Sequence, residues 1–227
     1  MKFAIISLII TYSVYASSAI IDGIKVRVSE VEKFKDFSAI GSTEIVANLE
    51  SVREQILSFN NRCNQELKKR RVFLKKEFVC KFHNPSLVES HIIKDIKNKK
   101  YIGKPNIIDE FLVWRNVYNR NSYSYYDLIL VKKISGGGYE ISYQMLNDVE
   151  VEFYLEDYKK KSTAFNKAGG VFKLTPSKGG VNLSLSYESE TNHWLLTSGF
   201  AEKTILEKIA SGTRLAIEAV KKGSENK

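Results

Sequence analysis

The residues able to do chemistry are few and scattered. The three histidines, His83, His91 and His193, have no G-x-S-x-G elbow and no H-E-x-x-H pair near them. Each therefore reads as a surface or hydrogen-bonded residue rather than a catalytic base. Glu202 precedes Ile205 by three residues and Ile209 by seven, on the apolar side of a C-terminal helical pattern. There it either points a carboxylate into the interior, where desolvation raises its pKa, or sits in the first helical turn and complements the dipole. Arg115 alternates with Val113 and Val117 in FLVWRNVY, so it is an inward cation lining a pocket unless Trp114 is the inward residue. Asp127, in YSYYDLILVKK, is the other carboxylate suited to acid–base work.

Residues 169–188, GGVFKLTPSKGGVNLSLSYE, hold two glycine pairs. A phosphate cradle sets its glycines between a strand and the helix that follows. Here one pair precedes a strand and the other lies between two, and neither G-x-x-x-x-G-K-[ST] nor G-x-G-x-x-G occurs. The segment reads as a tight hairpin, Pro176 setting the first corner and Gly179 taking positive φ. In its second half Val181, Leu183, Leu185 and Tyr187 face one way and the polar residues the other.

The elements that must position these residues follow from hydropathy and punctuation. MKFAIISLIITYSVYASSA has an early cation, an apolar run and small residues at its end, which is the pattern of a secretory signal over residues 1–19, cleaved after Ala16 or Ala19. The expectation is an exported protein, periplasmic or secreted, with one domain over 20–227. Export bears on the only two cysteines: Cys63 and Cys80 are expected to form a disulfide, two free thiols being the alternative, while a metal site has too few ligands. The net charge of +9 is gathered in basic runs at 68–76, 97–104 and 159–161. No nucleic-acid-binding signature accompanies it, which leaves transient contact with an anionic membrane surface, an acidic partner, or solvated faces.

Strands are expected over 23–28, 35–48 (bent or bulged at Gly41), 87–97, 109–118, 123–134, 139–146, 162–174 and 181–188, with another near 149–158. Asn48 caps a helix carrying Leu49, Val52, Ile56 and Leu57, a second helix runs from Asn60 to Arg71, and a long amphipathic one from Ser198 to Lys222. The connections between the middle strands are too short for crossovers, so the sheet is antiparallel. This is an α+β chain with helices on one face of a sheet, and space for a small molecule lies between them.

On these residues the chain resembles the START (StAR-related lipid-transfer) domain of the SRPBCC, or helix-grip, superfamily. DGIKVRV with DFSAIGSTEIVANLESVREQIL is similar to the opening strands and first helix. FLVWRNVYNRNSYSYYDLILVKK is similar to the paired central strands, and GGVFKLTPSKGGVNLSLSYE with HWLLTSGFAEKTILEKIASGTRLAIEAV to the final hairpin and closing helix. The likeness spans about residues 22–222. It implies a curved antiparallel sheet wrapped around a long C-terminal helix, with a cavity between them that binds a lipid or other hydrophobic small molecule; two short helices after the opening strands, no cofactor and a monomer complete the expectation. The cavity residues would be Phe172, Leu174, Leu183, Leu185, Ile205, Ile209 and Ala216, with Trp114, Arg115 and Glu202 as polar or aromatic contacts. An enzyme of the cyclase or hydrolase kind on the same fold, or an envelope structural protein with a filled interior, are the alternatives. Two features depart from the pattern. The family often has an Arg-Asp pair where this chain has Tyr126-Asp127, so no arginine is carried to that position, and TNHWLLTSGF lacks the usual proline before the closing helix.

Overall fold

The computed structural model describes residues 15–31, 33–59, 87–119 and 121–226. Nine strands form one antiparallel sheet: β1 (Tyr15–Ile21), β2 (Ile24–Val31), β3 (Phe34–Ile45), β4 (Leu87–Ile93), β5 (Ile107–Asn119), β6 (Asn121–Lys133), β7 (Tyr139–Met145), β8 (Lys167–Ser177) and β9 (Gly180–Thr191). Their order across the sheet is β1-β2-β3-β9-β8-β7-β6-β5-β4. The helices are α1 (Leu49–Ile56), α2 (Asp148–Tyr154), α3 (Trp194–Thr197) and α4 (Gly199–Glu225). This is the α+β helix-grip arrangement, with α4 lying on β2, β3 and β9 and against α1.

Alternation explains the layers, because side chains two apart in a strand share a face. Val26, Phe37, Ala39, Val113, Ile129, Ile141, Leu174, Leu183 and Leu185 all point toward α4 or its side of the sheet and are buried. The opposite face carries a second buried apolar cluster where β5 and β6 pass beneath α2, and there Leu112, Tyr126 and Leu128 pack against Val151, Tyr154 and Leu155. β5 and β6 are thus covered on both sides.

Several expectations change. The strand expected near 149–158 is the helix α2. Asn147 Oδ1 accepts from Glu150 N, and Glu150 returns a bond to Asn147 N, a capping box that fixes the first turn. The β3–β9 register runs unbroken from Lys35 to Ile45, so Gly41 marks no bulge. It marks a close approach: a Cβ there would lie 2.5 Å from Ile24 Cδ1 and 2.8 Å from Ile217 Cδ1, where α4 presses on the sheet. In the 169–188 hairpin Gly169 and Gly170 lie within β8 rather than before it, and Pro176 is also in the strand, opposite Val181. β7 pairs with β8 only as far as Leu174, so the donor that proline lacks is not needed on that side. The glycine of positive φ is Gly180, at 155°, rather than Gly179. The closing helix begins at Gly199, preceded by the single turn α3, and extends to Glu225. Residues 15–21, which span the expected domain start at residue 20, form β1 and pair with β2 from Glu30 to Ile24, a pairing that does not bear on whether the chain is cleaved there. The expected helix from Asn60 to Arg71, Cys63 and Cys80 lie outside the described residues.

Candidate functional site

The register of the sheet places residues in rows across its inner face. One row is Ile129, Tyr143, Gly170, Tyr187 and Ala39, and the next is Val131, Ile141, Phe172, Leu185 and Gly41. Further along, Leu174 stands beside Leu183. In the other direction Asp127 lies opposite Val113, and Arg115 opposite Tyr125. Arg115 and Asp127 are therefore diagonal neighbours on one face, with Arg115 Nε 2.5 Å from Asp127 Oδ2. The aspartate side chain is 4% exposed and the arginine 20%. The guanidinium also lies 5.4 Å from the ring centre of Phe59, just beyond α1.

Burial pushes the Asp127 carboxyl above the ordinary carboxylate range, against the opposing pull of the Arg115 charge and hydrogen bond. For Arg115, burial disfavours the cation, but Asp127 and then the phenols of Tyr125 and Tyr143 outweigh it, and the guanidinium stays charged. Tyr143 is held firmly as the neutral phenol, first by burial and then by Tyr187 and Asp127. Its ring packs on Phe172 at 5.9 Å. Gly170 is what admits it, because a Cβ at that position would collide with the Tyr143 hydroxyl and with the Ser186 carbonyl. The first glycine pair of the hairpin therefore serves the inner face of the sheet by leaving space for a phenol beside an ion pair.

The structure gathers some of the expected site residues and separates others. Phe172, Leu174, Leu183 and Leu185 share the inner face with Arg115, and Ile209 and Ala216 pack against the same cluster from α4. Ile205 belongs to a smaller cluster with Val28 and Phe37. Glu202 sits in the first turn of α4, its Oε2 accepting from Lys35 Nζ at 2.9 Å, with Glu30 3.7 Å from the same nitrogen. Of the two readings of Glu202, the first-turn carboxylate is the one observed. Trp114 does not join the site. One residue from Arg115, it faces the other way and packs on the α2 side, its ring 5.3 Å from His91 and 5.7 Å from Lys159 Nζ.

Sequence reasoning placed Tyr187 on the inward face without naming it a site residue, and missed Tyr143 and the pairing of Asp127 with Arg115. A signal for the last was available: Asp127 has the same parity as the β-branched Ile129 and Val131, which places it inward. The arginine beside Asp127 comes from the neighbouring strand β5, and the residue before Asp127 in sequence is Tyr126. Ser42, Glu44, Lys173, Thr175, Asn182 and Ser184 on the outer face, with Thr43 and Leu183 between them in sequence, line an open groove of about 440 Å³. Among the described residues no three His, Cys, Asp or Glu side chains converge as a metal site would require.

No family model matches the chain, and no curated protein matches it. Solved structures do. The STAR-related lipid transfer protein (fragment 25–204) from Xanthomonas axonopodis is 17% identical, with 93% of this chain and 97% of that one covered and a TM-score of 0.52. The lipid transfer and protein localization domain of human StarD13 is 8% identical, covering 94% and 89% at a TM-score of 0.51. Human StAR-related lipid transfer protein 5 is 10% identical, covering 95% and 86% at 0.51. At such identities the likeness is one of fold, and it extends over nearly the whole described chain.

Proposed function

We propose that this chain, which has the START-like helix-grip fold, is an exported protein that binds a lipid or another hydrophobic small molecule between the sheet and α4. The polar end of the ligand meets the Arg115–Asp127 pair. That pair carries the reading. A buried ion pair contributes little net stability compared with apolar residues of the same size, yet here one lies on an inner face otherwise lined with Val, Ile, Leu, Phe and Tyr. Affinity would come from the apolar body, at about 25 cal/mol for each Å² removed from water, and orientation from the charged pair. The names of the similar structures support a lipid as the ligand class.

Asp127 is also what favours the other reading, an enzyme of the cyclase or hydrolase kind, since its raised pKa suits a general acid. Its contact with Arg115 opposes that role, because a carboxylate held by a cation must give up its partner to carry a proton. Glu202, held by Lys35, is placed no better. Native mass spectrometry of protein purified from its own host tests the proposal. Binding predicts a co-purified apolar adduct that is depleted in Arg115→Met. A bare mass for the wild type, together with no uptake of a fluorescent fatty acid or phospholipid, would overturn it.

A further inference from the structure

The basic run at 97–104 belongs to a built surface. Residues 94–106, KDIKNKKYIGKPN, carry five lysines and one aspartate, and Lys97, Lys99, Lys100 and Lys104 are all exposed. The backbone between them is fixed from beneath. Glu110, 2% exposed, accepts from three successive amides: Lys100 N at 3.1 Å, Tyr101 N at 2.7 Å and Ile102 N at 3.1 Å. Two further bonds tie the run to α2, from Lys97 N to Tyr154 O (2.9 Å) and from Asn98 Nδ2 to Phe153 O (2.7 Å). Lys100 Nζ lies 5.5 Å from the Tyr101 ring and 5.8 Å from the Phe153 ring.

Large apolar side chains stand exposed among these cations: Ile102 at 44%, Phe153 at 47% and, one turn earlier on α2, Val149 at 75%. Pinning a loop spends interactions on holding apolar groups in water, which folding alone does not require. The carboxylates of α2 are engaged locally: Glu150 in the capping box, Glu152 with the Tyr158 hydroxyl, and Asp148 with Lys161 N. Glu156 lies 4.0 Å from Lys97. The hydrogen bonds to α2, all from neutral donors, leave its carboxylates charged but hold them to their local partners, so positive charge is confined to the loop and apolar surface to its tip and the adjoining edge of α2.

We propose that residues 97–104 with Phe153 form a preformed docking surface for an anionic lipid bilayer, Ile102 and Phe153 entering the interface and the lysines meeting the headgroups. It lies on the sheet face opposite the Arg115–Asp127 site, so docking and ligand binding use separate surfaces. The inference rests on the lipid-binding reading only in supplying the membrane at which a ligand is exchanged.

The test is co-sedimentation of the full chain with vesicles of phosphatidylcholine alone or mixed with phosphatidylglycerol, over a series of salt concentrations. Wild type is expected to bind the mixed vesicles only, and less as salt rises. Each lysine lost near an anionic surface weakens binding about fivefold. Lys99→Gln/Lys100→Gln/Lys104→Gln should therefore reduce it by more than a hundredfold, and Ile102→Asp by a smaller factor. All four positions are exposed, so the variants retain the fold, which circular dichroism checks. Equal binding to both vesicle types, no binding, or a triple variant that binds like wild type would overturn the proposal. So would binding to single-stranded RNA through these lysines without vesicle binding. The fluorescent-lipid uptake assay, run on the same variants without vesicles, separates the two readings. Uptake with no docking removes this surface alone, and docking with no uptake removes the ligand-binding reading alone.

Discussion

Arg115→Met tests the site most directly, because it keeps an unbranched stem beneath Phe59 while removing the charge that Asp127 faces. In the wild type, burial already holds the Asp127 carboxyl above its usual range, and Arg115 is the main influence pulling it back. Without the arginine the carboxyl rises further. Breaking a buried ion pair by deleting one partner costs about 3–5 kcal/mol. The arginine side chain keeps 20% of its exposure, so water screens part of the loss and the lower end, about 3 kcal/mol, is expected. For a chain of this size that corresponds to a fall in Tm of about 6–12 °C.

The pH dependence distinguishes this cause from lost packing. An acid with a raised native pKa binds, in the folded state, a proton that the unfolded chain has released. Stability therefore falls as pH rises from the usual carboxylate value through the native one. The variant widens that window. Its deficit relative to wild type should be small in acid, where Asp127 is protonated folded and unfolded alike, and should grow as pH rises until the native carboxyl has ionised. Urea unfolding across pH at constant ionic strength reads this as a changing gap in midpoint at unchanged m. Asp127→Asn should destabilise without that profile by leaving the cation unpaired, and the double variant should recover most of the loss. A deficit that is the same at every pH, or a double variant equal to the sum of the singles, would refute the coupling.

Other outcomes follow from the same geometry. Gly41→Ala presses its Cβ against the ends of two flexible side chains and should cost about 1–3 kcal/mol in urea unfolding, with partial rescue by Ile217→Val. Gly170→Ala meets the Ser186 carbonyl, which cannot swing aside, so it should cost more than Gly41→Ala and displace Tyr143, read as a change in near-ultraviolet circular dichroism. Glu110→Gln sets an amide donor against backbone donors and should lose about 2–3 kcal/mol, with amide exchange quickening at residues 100–102. If the chain is exported as proposed, intact mass of the mature protein should begin at Ser17 or Ile20. Cleavage after Ala16 leaves most of β1 on β2, whereas cleavage after Ala19 leaves only Ile20 and Ile21 and exposes most of the β2 edge. The same spectra, with and without reductant before alkylation, report whether Cys63 and Cys80 are joined.

What could be read from the sequence divides along physical lines. Strands with one wet face announced themselves: VNLSLSYE alternates because its outer residues meet solvent, and the buried Val181, Leu183 and Leu185 were assigned correctly to one side. The Asn48 cap was legible because it is local, and its Oδ1 accepts from Ser51 N as the pattern required. β5 was opaque for the opposite reason. Leu112 and Val113 are both fully buried, on opposite faces, so FLVWRNVY has no wet side from which to decide whether Trp114 or Arg115 points inward. The helix α2 was misread because DVEVEFY alternates acid and apolar like an edge strand, and only the capping box, Asn147 with Glu150, tells otherwise.

The two buried carboxylates of β5 and β6 show why only one suits the proposed binding site. Glu110 faces α2 and is saturated: three backbone amides and the Tyr154 hydroxyl point at it, all from one loop and one helix. A carboxylate so occupied has no capacity left for a ligand, and its place in the chain follows from the loop it holds. Asp127 faces the inner side and, among the described residues, is met by one cation, itself under an aromatic ring and beside the neutral phenol of Tyr143. A side-chain cation can turn toward a carboxylate or phosphate that offers better geometry, whereas three backbone amides cannot turn at all. Equal burial therefore produces opposite roles. The fold is anchored where the donors belong to the backbone, and it can exchange partners where the donor is the mobile end of Arg115.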